Sequence, residues 1–139
     1  MNNTLPAARG TPLIYIVDDE AAVRKGLSRL MRSVGMPCRD FASAEQFLAE
    51  LNPQQAGCVL LDITMPGLTG LQLQTELQKR QINLPIIAVS ARDDADTSSR
   101  ARQLGARFFL RKPVDDQALL DAIHWVLEDE HPRPNTNTK

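Results

Sequence analysis

A doubly wound α/β domain, a five-stranded parallel sheet with five helices, is the fold this sequence predicts, and three observations carry it. Five short apolar runs alternate with five stretches of helical periodicity. Those runs are apolar nearly throughout, as strands covered on both faces must be, whereas strands with one wet face would alternate. Parallel neighbours need crossovers, and the intervening helices supply them with the usual right hand.

Leu13-Ile14-Tyr15-Ile16-Val17 is the first strand. From Glu20 to Val34, the residues Val23, Leu27, Leu30, Met31 and Val34 recur at helical spacing, and Gly35 supplies the stop. A weak strand follows at Cys38 to Phe41. Ser43 with Gln46 three residues later is a capping-box signature, and Phe47, Leu48 and Leu51 give the second helix its buried face before Pro53. Cys58 to Leu61 reads as the third strand. Gly70 to Arg80 reads as the third helix, although Leu71-Gln72-Leu73-Gln74 also fits a strand period. Pro85 to Val89 is a fourth buried strand. Asp94 to Leu104 is a polar helix with a thin apolar face (Ala95, Ala101, Leu104) and Gly105 at its C-cap. Arg107 to Leu110 is the fifth strand, and Asp115 to Glu128 the fifth helix, with Leu119, Leu120, Ile123, Val126 and Leu127 facing inward.

With 139 residues the chain suits one core. The expected division is a flexible leader over 1–12, the domain over 13–129, and a polar tail or linker stub over 130–139. Sixteen Lys and Arg against seventeen Asp and Glu give a net charge of -1, which offers no basic field for nucleic-acid backbones, so no direct nucleic-acid binding is expected. The longest apolar run, five residues, is far from the 18 or so that a spanning helix needs. No membrane partner is expected. Cys38 and Cys58 are too few and too far apart for a disulfide framework, which suits a reducing cytoplasm; they read as small core fillers.

Ligands in open parallel sheets collect beyond the carboxyl ends of the strands. Asp18, Asp19 and Glu20 follow the first strand, Asp62 the third, Ser90 the fourth and Lys112 the fifth. If the first and third strands are neighbours, three aspartates converge, and their repulsion calls for a cation. Mg²⁺, which takes hard oxygen ligands, answers that need better than a thiolate or imidazole metal. Plainer readings stand beside this one. Asp18-Asp19 is also a usual helix N-cap with a first-turn acid, Asp62 also turn chemistry, Ser90 a cap, Phe109 a core aromatic and Lys112-Pro113 a loop. Arg107 and Arg111 fit a solvated edge as well as a docking face, and His124 reads as a surface residue without a phosphotransfer role.

The segments Val17-Asp18-Asp19-Glu20, Leu61-Asp62-Ile63-Thr64-Met65-Pro66-Gly67 with Gly70, Val89-Ser90-Ala91, and Gly105-Ala106 through Phe109 to Lys112-Pro113 resemble the receiver domain of two-component response regulators. The resemblance spans about 13 to 128. Val17 to Arg24 and Phe41 to Leu48 look closest to receivers usually attached to a C-terminal helix-turn-helix DNA-binding domain. It implies a flavodoxin/CheY-like strand order 2-1-3-4-5, and Asp62 as the phosphoacceptor for a sensor histidine kinase. It also implies Mg²⁺ held by Asp18, Asp19, Asp62 and the backbone carbonyl of Thr64. Lys112 and Ser90 would bind the phosphoryl group, Asp62 and Lys112 would carry the chemistry, and Ser90 with Phe109 would form the switch. A cis Lys112-Pro113 bond belongs to the same pattern. Such a domain is a signalling phosphoacceptor with autocatalytic transfer and self-dephosphorylation, not a turnover enzyme. It would form a phosphorylation-dependent homodimer through the fourth helix, fifth strand and fifth helix. The alternative, a Mg²⁺-dependent aspartyl-phosphate phosphohydrolase, lacks its usual second acid, because position 64 is Thr.

Overall fold

The computed structural model describes residues 11–65, 67–92 and 94–128. The expected tail, and all but the last two residues of the expected leader, lie outside the described residues. The apolar runs form β1 (Leu13–Val17), β2 (Cys38–Phe41), β3 (Gly57–Asp62), β4 (Ile86–Ser90) and β5 (Ala106–Arg111). The helices are α1 (Ala21–Ser33), α2 (Ala44–Glu50), α3 (Gly70–Lys79), α4 (Ala95–Gln103) and α5 (Asp116–Glu128). All strand pairs are parallel, in the order β2-β1-β3-β4-β5.

Alternation along the strands sorts the core into two layers. Tyr15, Val17, Val59, Leu61 and Ala88 face α2, α3 and α4 through Phe47, Leu73, Leu77 and Ala101. Ile14, Ile16, Cys58, Leu60 and Ile87 face α1 and α5 through Met31, Leu119, Ile123 and Val126. Both faces of β1, β3 and β4 are therefore dry, which is why those strands are apolar, whereas the edge strands β2 and β5 expose Arg39, Asp40, Arg107 and Arg111. Phe47 pins α2 by edge-on packing against Tyr15 and Phe41, with ring centroids 5.2 and 5.6 Å away.

Register then sets the strand ends. Val17 pairs with Leu61, so Asp18 and Asp62 emerge side by side. Asp62 pairs with Val89 and Ser90 with Arg111, which carries Ser90 and Lys112 to the same edge. Gly57 makes the β1–β3 approach possible: its φ is +152°, and a Cβ there would lie 1.9 Å from the Leu13 carbonyl oxygen.

Several details depart from expectation. Val34, which falls on the helical spacing of the apolar residues, is the C-cap of α1 and 44% exposed, because the helix ends at Ser33 before it. In α5, Ala122 is buried while Leu120 and Leu127 are only half so. Cys58 is a core filler, whereas Cys38 on the edge strand β2 is half-buried. Ala95 is exposed, so among the described residues of α4 only Ala101 is buried. Ser43 caps α2 by accepting from the Gln46 N–H at 3.1 Å, but the Gln46 side chain reaches back to the Ala42 N–H at 3.4 Å instead of closing the box. The complete capping box is Thr69 with Gln72, and it commits the ambiguous Leu71–Gln74 stretch to helix.

Lacking apolar anchors, α4 is tied to α3 by side-chain amides. Gln74 Nε2 donates to the Ala101 carbonyl at 2.9 Å and Gln78 Nε2 to the Leu104 carbonyl at 3.2 Å. Gln74 is fully buried, and its Oε1 has no partner. Among the described residues, no helix is long and apolar enough to cross a membrane.

Candidate functional site

At the end of β1 the chain turns sharply, and the turn aims Asp18. Its Oδ1 accepts from the Glu20 N–H at 2.9 Å, and its backbone carbonyl accepts from Arg24 Nη1 at 2.8 Å. Arg24 Nε in turn meets Asp40 Oδ2 at 3.2 Å, so the strut runs from α1 to the end of β2. The N-cap of α1 is Glu20, without a side-chain cap bond, so the plain reading of Asp18-Asp19 as the cap does not hold. At the end of β3, Asp62 is likewise fixed through Oδ1, which accepts from the Thr64 N–H at 3.1 Å and the Thr64 hydroxyl at 3.3 Å. The loop beyond it is held by Glu45, whose Oε2 accepts from the Leu68 N–H at 3.3 Å.

Asp18, Asp19 and Asp62 each offer a carboxylate oxygen within 4.8 Å of the others. Asp18 and Asp62 are buried and Asp19 is exposed, which leaves an open side. Into this cluster reaches Lys112, its Nζ 2.9 Å from Asp18 Oδ2, 2.8 Å from Glu20 Oε1 and 3.5 Å from Asp62 Oδ2. The Lys112 N–H donates to the Ser90 carbonyl at 2.9 Å, and the Lys112-Pro113 bond is cis. Ser90 is fully buried, and its Oγ accepts from the Arg92 N–H at 2.9 Å, turned into its own loop. Phe109, half-buried on β5, packs against the layer below α4. Arg107 and Arg111 lie exposed on the same strand, and His124 is exposed on α5 beside Trp125, itself 64% exposed.

Electrostatics follow from the crowding. Burial pushes the Asp62 carboxyl up to about 6; Asp18 adds to the rise, while the Thr64 N–H and the Lys112 charge pull against it. For Lys112, burial works against the charge, but hydrogen bonds to Glu20 and Asp18 and the charges of Asp62 and Asp18 win, holding it above the usual lysine range. A buried carboxylate that resists ionisation beside two more is a site short of positive charge. The donor set is all oxygen and carries no thiolate or imidazole, so it fits a hard divalent cation.

Asp18, Asp19, Glu20, Asp62 and Lys112 thus meet in one crevice, while Ser90 ends the neighbouring strand with its hydroxyl turned to its own loop and Phe109 lies a layer below. Two residues that hold the site carry no sequence signal for it: Arg24 and Glu45 sit in helical segments where a charge reads as a solvated face. Glu20 stands out in the sequence only as one more strand-end acid.

The family model described as the response regulator receiver domain matches residues 14–124. The chain belongs to this family. The transcriptional regulatory protein TdiR of Thauera aromatica is 44% identical over 114 residues, 82% of this chain and 50% of TdiR. Among solved structures, response regulator StyR superposes with a TM-score of 0.81 at 41% identity, covering 86% of this chain and 60% of StyR. A receiver protein from Pseudoalteromonas atlantica gives 0.79 at 27% identity, over 86% of this chain and 99% of that one. This receiver spans about half the length of the curated relatives it matches. Nothing in these matches speaks for a phosphohydrolase.

Proposed function

We propose that this receiver accepts a phosphoryl group on Asp62 from a sensor histidine kinase in the cytoplasm, with Mg²⁺, and changes conformation to control an output. One observation carries the reading: Asp62 ends β3 within 4.8 Å of two further aspartates and 3.5 Å from an ammonium. Bound Mg²⁺, held by Asp18, Asp19, Asp62 and the Thr64 carbonyl, would cancel the repulsion between the carboxylate and the phosphoryl oxygens. The chain does the rest. The Thr64 N–H and hydroxyl fix one oxygen of Asp62 and leave the other as nucleophile. Lys112 places its ammonium beside the transferring group as a point charge, and the phosphoryl group offers the Ser90 hydroxyl a better partner than the Arg92 amide. As a hydroxyl turns outward at Ser90, Phe109 repacks toward the space it leaves, which alters the face of α4, β5 and α5. Transcription is the proposed output, because relatives such as TdiR are named as transcriptional regulators and extend well beyond the part matched here. Thr64 argues against the phosphohydrolase, for which a second acid at that position would serve as proton donor.

Asp19→Ala is expected to weaken Mg²⁺ binding at least tenfold without unfolding the protein, as followed by Mg²⁺ titration. Unchanged affinity would place the cation elsewhere. Phosphorylation is expected to speed amide exchange from Ala91 to Leu104 and to favour a homodimer through α4, β5 and α5. Exchange and sedimentation with and without a small phosphodonor test this, and a lack of change in both would mean that the output lies on another face.

A further inference from the structure

We infer that Glu20 is a positioning residue for Lys112, holding the ammonium at the rim of the crevice when the aspartates turn to a divalent cation. The inference rests on the metal reading above. Lys112 Nζ touches three carboxylates, of which Asp18 and Asp62 belong to the cluster that would hold the cation, and Glu20 does not. A divalent ion drawn to Asp18 and Asp62 competes with the ammonium for those carboxylates and repels it, since like charges a few ångströms apart in a buried site repel. Lys112 must therefore give way as the ion enters. Its long flexible stem gives it many places to go, and most lie out of reach of a group on Asp62.

Glu20 limits that freedom. Its carboxylate, 59% exposed, stands 2.8 Å from Nζ, in the outermost of the three ion pairs. The backbone beneath it is fixed by the Asp18 carboxylate through the Glu20 N–H. Glu20 is the N-cap of α1 but makes no side-chain cap bond, so its carboxylate is free to bridge to Lys112, 92 positions away.

The test is a double-mutant cycle read by Mg²⁺ affinity, needing no phosphodonor. In the wild type, Glu20→Gln deprives the displaced ammonium of its resting place and should weaken Mg²⁺ binding about threefold to fivefold, the scale of one partly exposed ion pair. In the Lys112→Ala background the same change should cost less than about twofold. In ¹⁵N-labelled wild type saturated with Mg²⁺, the Lys112 ammonium resonance should stay observable, protected by its ion pair, and should vanish in Glu20→Gln. An equal loss of affinity in both backgrounds would make Glu20 a mere through-space charge and overturn the inference, as would an unchanged affinity in Glu20→Gln. Absence of Mg²⁺ binding by the wild type would overturn the metal reading itself, and this inference with it. Thermal melts of all four proteins show that each is folded.

Discussion

Asp62→Asn is expected to take up no phosphate from a small phosphodonor and Mg²⁺ while the wild type gains one, as read by intact mass. Full incorporation in the variant would move the nucleophile away from β3. The same substitution should stabilise the metal-free fold. Asp62 titrates near 6 in the folded protein against 3.8 for the free group, so between those values the native state holds a proton that the unfolded chain has lost. Stability attributable to this group therefore falls as pH rises through that window and stays reduced above it. The raised value corresponds to about 2 kcal/mol at neutral pH once solvent screening is allowed for. Asn carries no charge to bury. Metal-free Asp62→Asn should thus be more stable than wild type by about 2 kcal/mol at pH 7.5, the gap closing toward pH 4; a gap independent of pH in denaturant melts would contradict the assigned cause.

Gly70→Ala is the second substitution with a large expected effect. A Cβ at Gly70 would sit 2.5 Å from the Asp62 carbonyl oxygen and 2.6 Å from Ile63 Cα, both backbone atoms of the strand end that presents the candidate nucleophile. Neither can yield without moving that strand end or lifting α3 off it. A loss of about 3 kcal/mol is expected, with phosphate uptake falling well before the protein unfolds. Gly26→Ala is the control, since Gly26 lies in the exposed interior of α1 with nothing within 4 Å of a Cβ. It should stabilise by about 0.5 to 1 kcal/mol through helix propensity alone. Chemical denaturation of the pair decides; equal effects would mean that α3 does not bear on the end of β3.

Much of this fold is legible because a sheet whose inner strands are covered on both faces leaves a loud trace: apolar runs at β1, β3 and β4 separated by helical periods, with the edge strands β2 and β5 more polar. The site was legible for the same reason, since parallel topology sends every strand end to one edge. Illegible features arise where local pattern and tertiary need diverge. Gln74 reads as the polar side of a helix, yet it is buried because α4 lacks apolar anchors and needs its carbonyls held. Thr69 and Gln72 carried a complete capping signature that the strand-like Leu-Gln alternation obscured. Pairing of Glu20 with Lys112 spans 92 positions and depends on how two loops meet, which no local period encodes. The strand-end position of Ser90 suggests a hydroxyl facing the crevice, but its Oγ accepts from the Arg92 amide in its own loop, a local turn bond that the strand pattern does not encode.

The strand order divides the crevice along the chain. Every carboxylate in it comes from residues 18–62, carried by β1 and β3, and the hydroxyl and ammonium come from residues 90–112, carried by β4 and β5. On the proposed reading the first half of the chain would make a place for the cation and the second a place for the phosphoryl group, and the boundary runs between β3 and β4. Under that reading, substitutions on either side would retune one property while sparing the other: how firmly the ion is held, or how long the phosphoryl group survives. Lys112 crosses that boundary through its bonds to Asp18 and Glu20, so it is the residue at which the two adjustments cease to be independent.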